Sequence, residues 1–144
     1  MTLETVFLLS NLVVMPFWLL MIAFPKWRIT QTIMQSWAII AFLLVCYLVM
    51  LFSKFDGVVM LFTQMPELHH IMSLLGSREG AVIGWIHFLA FDLFVGRWIY
   101  LTSRTENRSV WVMAPILFFT LMLGPVGLLM FLMLQRIAPP ESRR

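Results

Sequence analysis

Continuous apolar runs separated by short polar connections set the pattern of this chain. Four runs can be read, at about Leu3 to Phe24, Ser36 to Ser53, Gly80 to Leu101 and Val110 to Leu134. Each approaches the ~20 residues that a helix needs to cross a ~30 Å hydrocarbon core. None alternates with period two, which argues against membrane strands. The pattern predicts an all-α integral membrane protein, one domain over residues 1–144 folded as a bundle of four transmembrane helices.

The connections differ in character. Pro25 to Gln35 carries Lys26, Trp27 and Arg28, an aromatic and two cations suited to anchoring at the interface. Between the second and third runs, Pro66 and Glu67 open a short helical pattern with Leu68, Ile71, Met72 and Leu75 on one face and Gly76 placed to stop it. That predicts an interfacial helix over about 66–75, with His69, His70 and Ser73 towards water. The third connection, Thr102 to Ser109, is short and polar, so the runs on either side are expected to be antiparallel neighbours.

The first run reads as a mature helix rather than a signal peptide. Glu4 is the only charge ahead of it, and no small-residue cleavage pattern follows. Four crossings place both termini on one side and leave orientation balanced. Lys54, Arg78, Arg136, Arg143 and Arg144 fall on one face, against Lys26, Arg28, Arg104 and Arg108 on the other.

Composition sharpens the class. The chain is 61% hydrophobic and only 12% charged, where a soluble domain carries about 25% charged residues. The single Cys46 excludes an intramolecular disulfide. The net charge of +3 comes from connections and tail, and its cations are scattered, so no nucleic-acid partner is expected.

Chemistry concentrates in the third run. Asp92 lies about midway along it, too deep for a short side chain to reach water. An aspartate or arginine near the middle of a membrane helix costs roughly 2.5–3.5 kcal/mol on insertion scales. Asp92 is therefore either a proton donor or acceptor, or a packing residue hydrogen-bonded to a neighbouring helix. Arg97 either snorkels to the interface past Trp98 and Tyr100 or meets a carboxylate. Five residues separate it from Asp92, roughly 140° around the helix, so each is expected to find its partner on another helix. His87 is a candidate acid or base, with an ordinary packing histidine as the alternative. Glu79 suits the first helical turn electrostatically and is the weaker catalytic candidate.

Asn11 in the first run could complete a polar site, and Thr120 is expected to bond back to its own helix. Pro115 and Pro125 free the carbonyls of Trp111 and Leu121 and are read as kinks. No metal is expected: there are only three histidines, and Glu67, His69 and His70 are explained by a polar helix face. No nucleotide loop or hydrolase triad is present.

The run GWIHFLAFDLFVGRWIYL (Gly84 to Leu101) resembles the signature of the abscisic-acid-deficient-four-like family, which includes plant neoxanthin synthases. NLVVMPFWLLM (Asn11 to Met21), SREGA (Ser77 to Ala81) and LGPVGLL (Leu123 to Leu129) match it too, in order along nearly the whole chain. The resemblance implies a carotenoid-associated membrane protein. The plant reaction converts violaxanthin to neoxanthin: an epoxide opens while a proton leaves a neighbouring carbon, with no net redox change and no cofactor. It needs an acid and a base, for which Asp92 and His87 are the candidates, with Arg97 holding a carboxylate or the oxygen. Asn11, Trp85 and Phe88 are the expected substrate contacts. Expected partners are a carotenoid or other isoprenoid lipid, membrane lipids and, as an open option, a second copy of the chain. With Met1 directly ahead of the first run and no transit segment, a bacterial inner-membrane relative is expected. The alternative from the residues alone is a non-catalytic helical membrane protein that binds a pigment, lipid or partner.

Overall fold

The apolar runs form helices because a backbone in hydrocarbon must satisfy its own hydrogen bonds. The computed structural model describes residues 2–52 and 67–138. Its elements are α1 (Leu3–Ala23), α2 (Arg28–Gln35), α3 (Ala38–Phe52), α4 (Leu68–Gly76), α5 (Arg78–Thr105), α6 (Val110–Met122) and α7 (Gly124–Ile137). Among the described residues there is no strand. Two helices, α1 and α5, are long and apolar enough to cross a membrane, and α2 with the helix after it makes a third candidate if the bent pair acts as one span.

Three expected helices, α1, α3 and α5, keep their places within a few residues. The short helix expected between the second and third runs is α4, with no buried residue. Ser77 separates α4 from α5 and starts the latter: its hydroxyl accepts the Gly80 N–H at 3.0 Å, the usual service of an N-cap serine. Gly80 is buried there and leaves no room for a side chain beside the Leu74 carbonyl.

Two elements depart from the sequence expectation. The Pro25–Gln35 connection is not simply an anchoring loop, since most of it is the amphipathic helix α2, whose Thr30 and Met34 are buried. The Thr30 hydroxyl donates to the Phe24 carbonyl at 2.9 Å and ties the helix to the end of α1. The fourth run is not one continuous helix. It is divided at Leu123, whose backbone (φ −148°, ψ 72°) is non-helical. Pro115 sits inside α6 without ending it, whereas Pro125 stands in the first turn of α7, where a missing N–H costs nothing.

By internal contacts the chain forms two units: Met1–Leu12 with Ala38–Ala90, and Val13–Trp37 with Phe91–Arg144. Both α1 and α5 run through the two. In the first unit Glu4 pairs with Arg78 at 2.8 Å, and Asn11 accepts a hydrogen bond from Trp85 at 3.1 Å. The numbers rise together, so the starts of α1 and α5 lie parallel.

In the second unit the same order holds. The buried Trp18 ring lies against Gly96, where an added Cβ would collide with it. The Tyr100 hydroxyl donates to the Pro25 carbonyl at 2.8 Å. Trp98 and Phe131 pack edge to face with centroids 5.4 Å apart. Gln135 donates to Glu106 at 3.1 Å, so the end of α7 lies beside the end of α5. The turn between α5 and α6 is tight, with Asn107 in the left-handed region at φ 51°, which asparagine tolerates better than most residues.

Candidate functional site

Helix α5 has 28 residues, which at ~1.5 Å per residue makes roughly 42 Å. Asp92 lies near its middle, roughly 20 Å from either end. Its carboxylate stands where a side chain on Gly124 would stand. Gly124 is the first residue of α7 and is itself buried. The absence of a Cβ is what admits the carboxylate at the start of that helix. A helix start carries about half a positive charge from its unpaired N–H groups. A carboxylate is favoured there even before it finds a specific donor. Among the described residues Asp92 has no ion pair and no side-chain hydrogen bond.

Arg97 meets a helix end of the other polarity. Its Nε donates to the Met34 carbonyl, and one Nη donates to the Gln35 carbonyl at 3.1 Å. These are the last two residues of α2. The guanidinium also lies over the Trp37 ring, 4.0 Å from its centroid. Arg97 exposes only 7% of its surface, so it neither snorkels to the interface nor leans on Asp92. A helix end attracts a cation for the same reason that a helix start attracts an anion, and the aromatic face adds a cation–π contact.

Of the other sequence candidates, Asn11 and Trp85 come together in the first unit. Trp85 donates to the Asn11 side-chain oxygen, and Asn11 donates in turn to the Phe7 carbonyl at 2.7 Å. Phe7 and Trp85 stack with centroids 5.6 Å apart. His87 is exposed on α5 with Tyr47 at 5.5 Å and Phe88 at 6.2 Å between ring centroids. Phe88 is exposed, and Glu79 is half-buried in the first turn of α5. Thr120 bonds back to the Ile116 carbonyl at 2.8 Å as expected.

Glu67, His69 and His70 bring one ligand atom each within 4.8 Å of one another. They are the side chains best placed to hold a divalent ion. His69 already lies 3.1 Å from Glu67, and both are exposed. A solvated polar face at the start of α4 accounts for them without an ion. Beside the end of α1, an open groove of about 590 Å³ is lined by Ala23, Phe24, Pro25, Lys26, Trp27 and Val110. Its walls are mostly apolar, with one cation at the rim.

Sequence reading did not find Gly124, Trp37 or the α2 carbonyls as parts of the site. The LGPVG run carried a signal for Gly124, since Gly-Pro marks a helix start. Backbone carbonyls carry none, because every residue has one.

Residues 5–131 match the model of the family described as ABA DEFICIENT 4-like. This chain belongs to the ABA DEFICIENT 4-like family. Protein ABA DEFICIENT 4, chloroplastic, from Arabidopsis thaliana is 30% identical over 113 residues, covering 73% of this chain and 51% of that protein. The chain thus spans about half the length of its curated relative. No solved structure matches it. The Gly84 to Leu101 and Leu123 to Leu129 runs, on which the family resemblance rested, are the two that meet at Asp92 and Gly124.

Proposed function

We propose that this ABA DEFICIENT 4-like protein acts on a carotenoid or related isoprenoid lipid within the membrane, as a cofactor-free isomerase in which Asp92 handles the proton. The observation that carries the reading is a mid-helix carboxyl without a protein partner among the described residues, held against the glycine that opens α7. A protonated Asp92 gives its proton to an epoxide oxygen as the C–O bond breaks. A proton leaves the neighbouring carbon, its bonding electrons forming the new carbon–carbon π bond. Asp92, left as the carboxylate, takes that proton, and the product has the mass of the substrate. Acid–base assistance of this kind is worth about 10²–10⁴ in rate. Arg97 serves here through the positions of α2 and Trp37, not by touching substrate.

A second reading has its own support. Both intramembrane charges have an electrostatic account in the fold, Asp92 at a helix start and Arg97 at a helix end. A protein that only binds a pigment or lipid would need no more than that.

Pigment analysis of violaxanthin-supplied cells, with and without the chain, separates the two. The enzyme reading expects a new isomer of unchanged mass that disappears with Asp92→Asn at equal amounts of folded protein. An unchanged pigment profile with the folded wild-type protein present would overturn it.

A further inference from the structure

We infer that α6 and α7 form a re-entrant hairpin that enters and leaves the membrane at one face, and that this face is the cytoplasmic one. This does not depend on the proposed reaction. A single straight helix from Ser109 to Gln135 would set its ends roughly 39 Å apart at ~1.5 Å per residue. Gln135 instead bonds to Glu106, just before that segment. At the other extreme, Gly127 lies so close to Thr120 that a Cβ would strike the Thr120 backbone. Small residues of this kind let two helices approach tightly in lipid. Each arm is 13 or 14 residues long, roughly 20 Å and well short of a full crossing. The hairpin tip, Gly124, accordingly meets the middle of α5 at Asp92.

The end where the hairpin closes has the chemistry of the headgroup region. Glu106 pairs with Arg108 at 2.8 Å, with both side chains about nine-tenths buried. Arg104 Nε and Arg108 Nη2 are buried and lack a partner among the described residues. Charged side chains of this kind are costly in hydrocarbon and belong near the interface.

The hairpin changes the count of crossings. Because α1 and α5 run parallel, the chain between them returns to the face where α1 starts. With α6 and α7 returning to their starting face, the start of α1 and the end of α7 fall on opposite sides. Among the described residues Lys26, Arg28, Arg104, Arg108 and Arg136 then share one face, against Arg78 at the other. Over the same six cations, four full crossings would set four against two; the hairpin moves Arg136 across and leaves five against one, and the positive-inside rule places the basic face in the cytoplasm.

The test uses the full chain in a bacterial inner membrane, with Cys46→Ser as background and single cysteines at Thr5, Ser109 or Ile137. All three positions are exposed. Right-side-out and inverted vesicles are treated with a membrane-impermeant maleimide, and folding is checked by size exclusion in detergent. Ser109→Cys and Ile137→Cys should both label only in inverted vesicles, and Thr5→Cys only in right-side-out ones. Labelling of Ser109→Cys and Ile137→Cys from opposite sides would overturn the hairpin. Labelling of both only in right-side-out vesicles would overturn the orientation. A variant that fails to fold is replaced by Thr105→Cys for Ser109 or Arg136→Cys for Ile137, with the same expected results.

Discussion

The Asp92 carboxylate occupies the space that a side chain on Gly124 would need. The two residues lie 32 positions apart in sequence (124 minus 92), yet each makes the other's place tenable. The glycine opens room at a helix start, and the helix start steadies a carboxylate deep in hydrocarbon.

Gly124→Ala should therefore destabilise the protein by about 1–3 kcal/mol, the usual range for overpacking. In an Asp92→Ala background the same change should cost much less, because the obstructing carboxylate is gone. Thermal unfolding in detergent of the two single variants and the double variant measures this coupling. Equal costs in both backgrounds would refute the contact.

Arg97→Lys should lower stability despite keeping the charge. An ammonium group cannot reproduce two directed bonds to Met34 and Gln35 together with a flat stack on Trp37. A loss of about 1–3 kcal/mol is expected from hydrogen bonds made by a charged group. Trp37→Leu should lose less, since it removes the stack, worth roughly 0.5–2 kcal/mol, and a looser ring contact with Phe94 at 6.1 Å. Chemical denaturation followed by tryptophan emission checks the first, and thermal unfolding the second.

Gly96→Ala should push the buried Trp18 ring out of its seat between α1 and α5. Overpacking of this sort costs about 1–3 kcal/mol, and Trp18→Leu in the same chain should recover part of it. If the double variant is no more stable than Gly96→Ala alone, that seat is not where the strain lies.

Trp85→Phe should be mild. It removes the bond to Asn11 but keeps a ring beside Phe7. Polar bonds between membrane helices average roughly 0.6 kcal/mol. A much larger loss in thermal unfolding would refute so small a role for the Trp85–Asn11 bond.

Much of the helical framework is legible in the amino-acid sequence. Long apolar runs can only be helices in hydrocarbon, so α1, α3 and α5 lie within a few residues of their expected limits. Asp92 also stands out there, because a carboxylate that deep needs an explanation. Two features do not. Helix α2 is amphipathic but only 8 residues long, too short for its pattern to stand out before Thr30 and Met34 are seen buried. The residue type of Arg97 points to water or a carboxylate, whereas the side chain caps a helix through backbone carbonyls that no side-chain pattern announces.

The run from Val110 to Leu134 divides the two kinds of knowledge. Its composition by itself determined that it is helical and lipid-compatible, and Gly124-Pro125 marked where one helix could stop and another start. Only the tertiary structure decided that the chain turns back there. Gly and Pro govern local dihedrals, which say where a helix ends but not where the next one points. The direction was settled by contacts between the two arms and with α5: Gly127 against Thr120, Trp98 on Phe131 and Glu106 with Gln135. Their free energies come into being only when the helices are already side by side.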